Sequence, residues 1–234
     1  RHLHGGGPAA NLYGRPHALL AHPDGRHVIL GGNAARVETG GGMVIYDTQT
    51  GDELVLGRVQ LVPDQGVYSM AALPDGDLIV GSTTMAATGG ADVATEAMIY
   101  RLDWETKHVI GRWTISPATA AVRDLVVPED GLVYGLTSDS RLFVFDPEAE
   151  EFVHDVSVAE YGGMTGGQAP RVMAVGPDGA IYALFREAIA RIEPGTFEHR
   201  EVVRPGTNIS AGITIADGRL YFASGSHLMS YELE

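Results

Sequence analysis

Apolar residues in this chain do not recur at the three-to-four spacing of an amphipathic helix. They come in short runs broken by turn signals, which predicts strands and hairpins. One phrase returns along the sequence: an apolar run, a Pro-Asp-Gly or related turn, a β-rich run, then an aromatic-rich run ending in Asp or Glu. The first copy reads through 17–22 into Pro23-Asp24-Gly25, then 27–31, then 43–47. The second has its turn at Pro74-Asp75-Gly76, the third at Pro128-Glu129-Asp130-Gly131, the fourth at Pro177-Asp178-Gly179 and the fifth at Asp217-Gly218. Asp-Gly between apolar runs is a strong hairpin signal, because glycine accepts the positive φ such turns need.

The turn glycines are spaced 51, 55, 48 and 39 residues apart. A unit of that length with three or four short strands cannot bury both faces of its sheet alone. Repeated side by side, such sheets cover one another, and the expectation is an all-β chain, a β-propeller of four-stranded antiparallel blades. About five blades fit, over residues 15–62, 63–117, 118–165, 166–205 and 206–234, in a single propeller domain.

Asp47-Thr48-Gln49-Thr50-Gly51 follows the first aromatic-rich run, and Asp103-Trp104-Glu105-Thr106-Lys107 and Asp146-Pro147-Glu148-Ala149-Glu150 are looser versions of it. With the Pro-Asp-Gly turns, this motif resembles the YVTN, NHL and quinoprotein-like propellers over residues 15 to the end. The Gly-His and Trp-Asp signature of WD40 blades is missing, as is the tryptophan of the pyrroloquinoline-quinone enzymes, near whose place Leu54 stands. The resemblance implies a fold, not an activity. Two arrangements suit the count: a five-bladed ring closed by residues 1–13, or the C-terminal part of a seven- or eight-bladed ring. A start at Arg1 instead of Met favours the second, which needs a second chain or missing blades to cover the open flank.

Composition narrows the function classes. Of 234 residues, 44% are hydrophobic and 20% charged, enough for a packed core. Sixteen basic against 30 acidic residues give a formal charge of −14, which disfavours nucleic acid as a partner. No apolar run is long enough for a membrane helix, so no membrane insertion is expected. Cysteine is absent, which excludes disulfides, thiolate metal sites and cysteine catalysis. It suits the cytosol as well as export; an extracellular or periplasmic setting is slightly favoured.

Propeller geometry sorts the candidate residues. The Pro-Asp-Gly turns fall at one end of each blade. The starts of the inner strands and the second-to-third loops fall at the other. Six residues before the turn proline stand His17, Tyr68, Val122 next to Arg123, and Arg171; in the last unit the same place is Ser210, near Asn208. With Arg15, these residues line a predicted funnel. Its three arginines suit a small anionic or saccharide ligand, unless they pair with acids such as Asp124 and Glu187. A protein partner is the other expectation for such a module. As an enzyme, the alternative is a polysaccharide lyase acting on uronate glycans. Arg123 would neutralise the carboxylate while His17 and Tyr68 move the proton. No cofactor is expected.

The loops at 32–42 and 82–96 are long and suggest a lid or binding wall that includes Glu96. Glu38, Asp92 and Glu96 are a weak Ca²⁺ option without Asp-x-Asp-x-Asp spacing, and no metal site is assigned. His2 and His4 stand beside a glycine run and read as unordered. His22, His27, His108, His154, His199 and His227 read as surface or strand residues, and Trp104 and Trp113 as packing.

Overall fold

The computed structural model describes residues 15–34, 38–115, 119–166 and 171–233. The segment expected to close a ring, with His2 and His4, lies outside the described residues. Among the described residues, nineteen strands form five antiparallel sheets. The first holds β1 (Arg15–Ala21), β2 (His27–Asn33), β3 (Gly41–Asp47) and β4 (Glu53–Leu56). The second holds β5 (Gly66–Ala72), β6 (Leu78–Thr83), β7 (Met98–Leu102) and β8 (Val109–Thr114). The third holds β9 (Val122–Val126), β10 (Val133–Thr137), β11 (Arg141–Asp146) and β12 (Glu151–Ser157). The fourth holds β13 (Met173–Val175), β14 (Ile181–Leu184), β15 (Ile189–Ile192) and β16 (His199–Val203). The last has three strands, β17 (Ala211–Ala216), β18 (Arg219–Ser224) and β19 (His227–Glu232). Strands pair in chain order throughout, so every connection within a sheet is a hairpin or a loop. A short 3-10 turn covers Ala159–Tyr161.

Turn chemistry explains why the hairpins form where they do. Gly25, Gly76, Gly131, Gly179 and Gly218 all have φ between +67° and +95°. In the first four turns the aspartate before the glycine accepts the N–H two residues on: Arg26 on Asp24, Asp77 on Asp75, Leu132 on Asp130 and Ala180 on Asp178. A second turn joins the third and fourth strands. Its fifth residue is left-handed in four sheets: Gly51 (φ 81°), Lys107 (61°), Glu150 (57°) and Phe197 (62°). The Asp47, Asp103 and Asp146 carboxylates close this turn by accepting main-chain N–H groups. The motif seen clearly only at Gly51 in the sequence is thus one backbone geometry with four different residues at its strained position.

The chain divides into two compact units, Arg1–Val122 and Arg123–Glu234. In the first, the two sheets share a core of Ile29, Met43, Leu61, Val67, Met70, Leu78 and Tyr100. Their approach needs a missing side chain: a Cβ on Gly31 would stand 2.2 Å from Val67 Cγ1. His22, expected at the surface or in a strand, is 5% exposed. Its Nε2 lies 2.8 Å from the Gly76 carbonyl and its ring stacks on Trp104 at 3.7 Å, so it ties the two inner turns together. Lys107, the only lysine, sits over the other part of this cluster, 3.8 Å from the Trp104 centroid.

In the second unit the core runs through Tyr134, Leu142, Val172, Ile181, Phe185, Ile189, Ile209 and Leu220. Asp124, 2% exposed on β9, accepts the Val172 and Met173 N–H groups at 2.7 and 2.8 Å through Oδ2, and its own neighbour Leu125 through Oδ1. Burial pushes this carboxyl up, against Arg171 and those three donors. The Tyr134 hydroxyl donates to Asp130 and accepts the Gly195 N–H, which joins the third sheet's inner turn to the fourth sheet's outer one.

Substitutions at two turns should act with opposite signs. Nothing lies within 4 Å of a Cβ on Gly179, so Gly179→Ala is opposed by backbone strain alone and should destabilise by about 1 kcal/mol. Glu150→Gly relieves the same strain and should stabilise by about 0.5 kcal/mol, the remainder going to the freer unfolded chain. Urea denaturation midpoints measure both; equal effects would show that the turn conformation is not the cause.

Acid should weaken the fold in a predictable window. A side-chain hydrogen bond from Arg26 holds Asp47 well below the usual carboxylate range, and the Thr106 hydroxyl and N–H lower Asp103. For Asp24 and Asp178, burial pushes upward but hydrogen bonds from neighbours outweigh it. A folded-state value below the unfolded value of about 3.9 stabilises the protein above that pH, and the contribution is lost as pH falls through the folded value. The urea midpoint should therefore drop between about pH 5 and pH 2. In Asp47→Asn/Asp103→Asn the drop should be shallower; an unchanged slope would remove these two groups from the account.

Candidate functional site

The inner strands of the first two sheets begin with matching irregularities. The β1–β2 register shifts between Pro16 and Ala18, and the β5–β6 register shifts between Val67 and Ser69. The skipped residues are His17 and Tyr68. A bulge re-aims the side chain it carries, and here it turns the two rings onto each other, stacked at 4.4 Å with 19° between planes. Counting back from the turn proline therefore brings together two residues about fifty positions apart. Their exposure is unequal: His17 is half-buried, while Tyr68 has no exposed surface. Tyr68 presents no group to a polymer in this arrangement.

The other predicted residues take separate places. Arg15 is exposed at the first residue of β1. Arg123 is 4% exposed and donates through Nη2 to the Thr165 and Gly166 carbonyls at 3.1 and 3.0 Å. Arg171 is half-buried, its Nη1 3.8 Å from Asp124 Oδ1. Glu187 pairs with Arg204. Asn208 is exposed in the segment before β17. Glu96 is half-buried in the long second-sheet loop, where its carbonyl accepts the Gln65 side chain. The Ca²⁺ option at Glu38, Asp92 and Glu96 is corrected: Asp92 accepts the Ala86 N–H, and Glu38 lies 3.9 Å from Arg58. Among the described residues no three His, Asp or Glu side chains are placed to hold a metal.

The long loops do form one surface of the first unit. Ala87 donates its N–H to the Glu38 carbonyl, Asn33 Nδ2 donates to the Met85 carbonyl, and Thr39 donates to Asp64. Gly40 packs beside the Arg58 side chain, so the segment after β4 joins them. On this ridge stand Val59, Val93 and Met85, exposed by 85%, 60% and 39%. Glu38, Asp64, Asp92 and Glu96 belong to the same segments, and Arg58 lies 3.9 Å from Glu38. Exposed hydrophobic residues were not part of the sequence-derived site, because a lone valine in a Gly-rich loop carries no periodic signal.

Two histidines read as surface or strand residues also meet. His154 on β12 and His199 on β16 line one cleft of the second unit, with Phe197 between β15 and β16. They come from different sheets, so nothing in their spacing reports the meeting.

No protein-family model matches the sequence, and no curated protein does. Among solved structures 909 chains match, a breadth that belongs to a fold shared by many functions. The Dos1 propeller is similar at a TM-score of 0.65 and 13% identity, over 88% of this chain and 50% of that one. The RRP9 WD40 repeats give 0.68 at 14% identity, over 95% of this chain and 62% of theirs. The U3-55K structure gives 0.66 at 14% identity, over 95% and 63%. The chain thus spans about half the length of the first of these and less than two thirds of the other two. At such identities the likeness shows the fold alone: an all-β β-propeller chain of five blades, four of them with four antiparallel strands and the last with three.

Proposed function

We propose that this chain is a propeller interaction module, and that the ridge formed by residues 38–40, 57–60 and 84–96 docks a protein partner. The exposure of Val59, Met85 and Val93 on neighbouring segments of one unit carries this reading. Apolar side chains clustered on loops and rimmed by charge mark interaction surfaces far more often than isolated exposed ones do. The Ala87 N–H to Glu38 carbonyl and Asn33 side chain to Met85 carbonyl hydrogen bonds tie one loop to the next, and Asp92 closes its own loop on the Ala86 N–H, which supports a surface formed before a partner arrives. The rim is acidic and the chain carries −14 overall, so the partner segment combines large apolar residues with Lys or Arg. WD40-like neighbours support an interaction role at the level of the fold. Kinship with YVTN- and NHL-type propellers is part of the same proposal and rests on Asp47–Gly51 and its left-handed counterparts. A uronate lyase is less supported, since Tyr68 is buried and the hydrogen bonds described for Arg123 go to main-chain carbonyls.

Selection from a random peptide library on the immobilised protein tests this. The expected peptides combine basic and large apolar residues, and Val59→Asp/Val93→Asp should weaken them by about tenfold or more. Gln49→Asp, at a turn on the other end of the first sheet, should leave them unchanged. Peptides that are acidic, or that bind the double variant as well as the parent, would overturn the docking surface.

A further inference from the structure

The fourth sheet's outer turn places an aromatic residue where the first sheet has glycine. Phe197, at φ 62°, costs roughly 1 kcal/mol relative to glycine there, and its ring is held by Tyr134 at 6.1 Å and His154 at 5.2 Å. The result is one wall of an open cleft of about 470 Å³, within the size range of small-molecule sites. The lining is completed by His154, His199, Thr196, Glu198, Arg200 and Glu193.

Neighbours hold several of the polar groups in this lining. The Tyr161 hydroxyl lies 2.7 Å from His199 Nδ1 and fixes that ring, with Glu160 3.9 Å away. Among the described residues nothing pairs with the buried Nε2 of His154. Burial, and then the neighbouring His199, lowers the affinity of His154 for a proton, which favours the neutral ring. Glu193 is held by Arg191 through both carboxylate oxygens. Glu198 and Arg200 add an exposed acceptor and an exposed donor to the same lining.

We propose that this cleft is a binding site for a short neutral saccharide. Donors and acceptors on the same wall and one aromatic ring together fit a pyranose. Its hydroxyl groups both donate and accept, and its C–H face carries the positive edge that an aromatic face attracts. This site is independent of the docking ridge, which lies on the other unit.

Imidazole resonances of His154 and His199 in the intact protein report on the cleft directly. The probes are the methyl glycosides of glucose, galactose, mannose and N-acetylglucosamine, with ethylammonium chloride and sodium acetate as charged comparisons. At least one glycoside should shift both histidines, with a roughly millimolar dissociation constant. Thr196→Ala and Glu198→Ala, both on exposed residues, should each weaken it by about fivefold, the loss of one hydrogen bond. Phe197→Leu, which keeps apolar bulk and removes the ring, should weaken it as well. The proposal is overturned if no glycoside moves the histidines, if the shifts persist unchanged in the three variants, or if ethylammonium or acetate binds more tightly than every glycoside.

Discussion

The register of the first four sheets depends on aspartate carboxylates that close their inner hairpins. A carboxylate accepting main-chain N–H groups two or three residues on fixes a turn in one conformation, and a left-handed residue completes it. Once both turns at one end of a sheet are fixed, the register of all its strands is fixed too, since a slip by one residue would send every side chain to the opposite face. The inner strands then have to begin where they do. His17 and Tyr68 arrive at equivalent places because Asp24 and Asp75 close equivalent turns.

The same logic explains what the sequence made legible. Each Asp-Gly turn could be read because glycine at positive φ leaves a residue-level mark, and the residues before it followed by counting. Lys107, Glu150 and Phe197 left no such mark. They adopt the conformation of Gly51 because the carboxylate or carbonyl closing the turn outweighs roughly 1 kcal/mol of left-handed strain, and only the backbone shows it. Contacts between sheets were harder still. His22 is buried because Trp104 of the next sheet stacks on it, and His154 meets His199 across two sheets; neither is encoded locally. Arg123 and Arg171 were read from position as ligand-facing cations. Arg123 donates to two main-chain carbonyls, and Arg171 stands 3.8 Å from a buried carboxylate, partners that their positions in the sequence do not report.

Arginine is largely committed to structure in the described residues. Arg26, Arg101, Arg141, Arg191, Arg204 and Arg219 each pair with one or more carboxylates. Most of these pairs are partly exposed and individually weak, so their main effect is to cancel charge locally instead of adding stability. The acid excess is therefore carried by groups outside these pairs. The segments after β4 and β6 are where the exposed apolar Val59, Met85 and Val93 stand, near acidic residues such as Glu38, Asp64 and Asp92.

Turns and loops in these sheets answer to different constraints. At the Asp-Gly end, a change of residue alters the register and with it the core. At the other end, the loops only have to span the gap between strands, so length and composition are free to vary: the connection after β2 and the longer one after β6 contrast with three residues between β10 and β11. The outer edges of the sheets have a similar freedom, because every residue of β12 and β16 is half-buried or exposed. Recognition surfaces belong where sequence can change without disturbing the turns. The apolar ridge draws on such places, whereas the cleft is built on the fourth sheet's outer turn, and the stacked His17 and Tyr68 sit at bulges whose position the turns dictate.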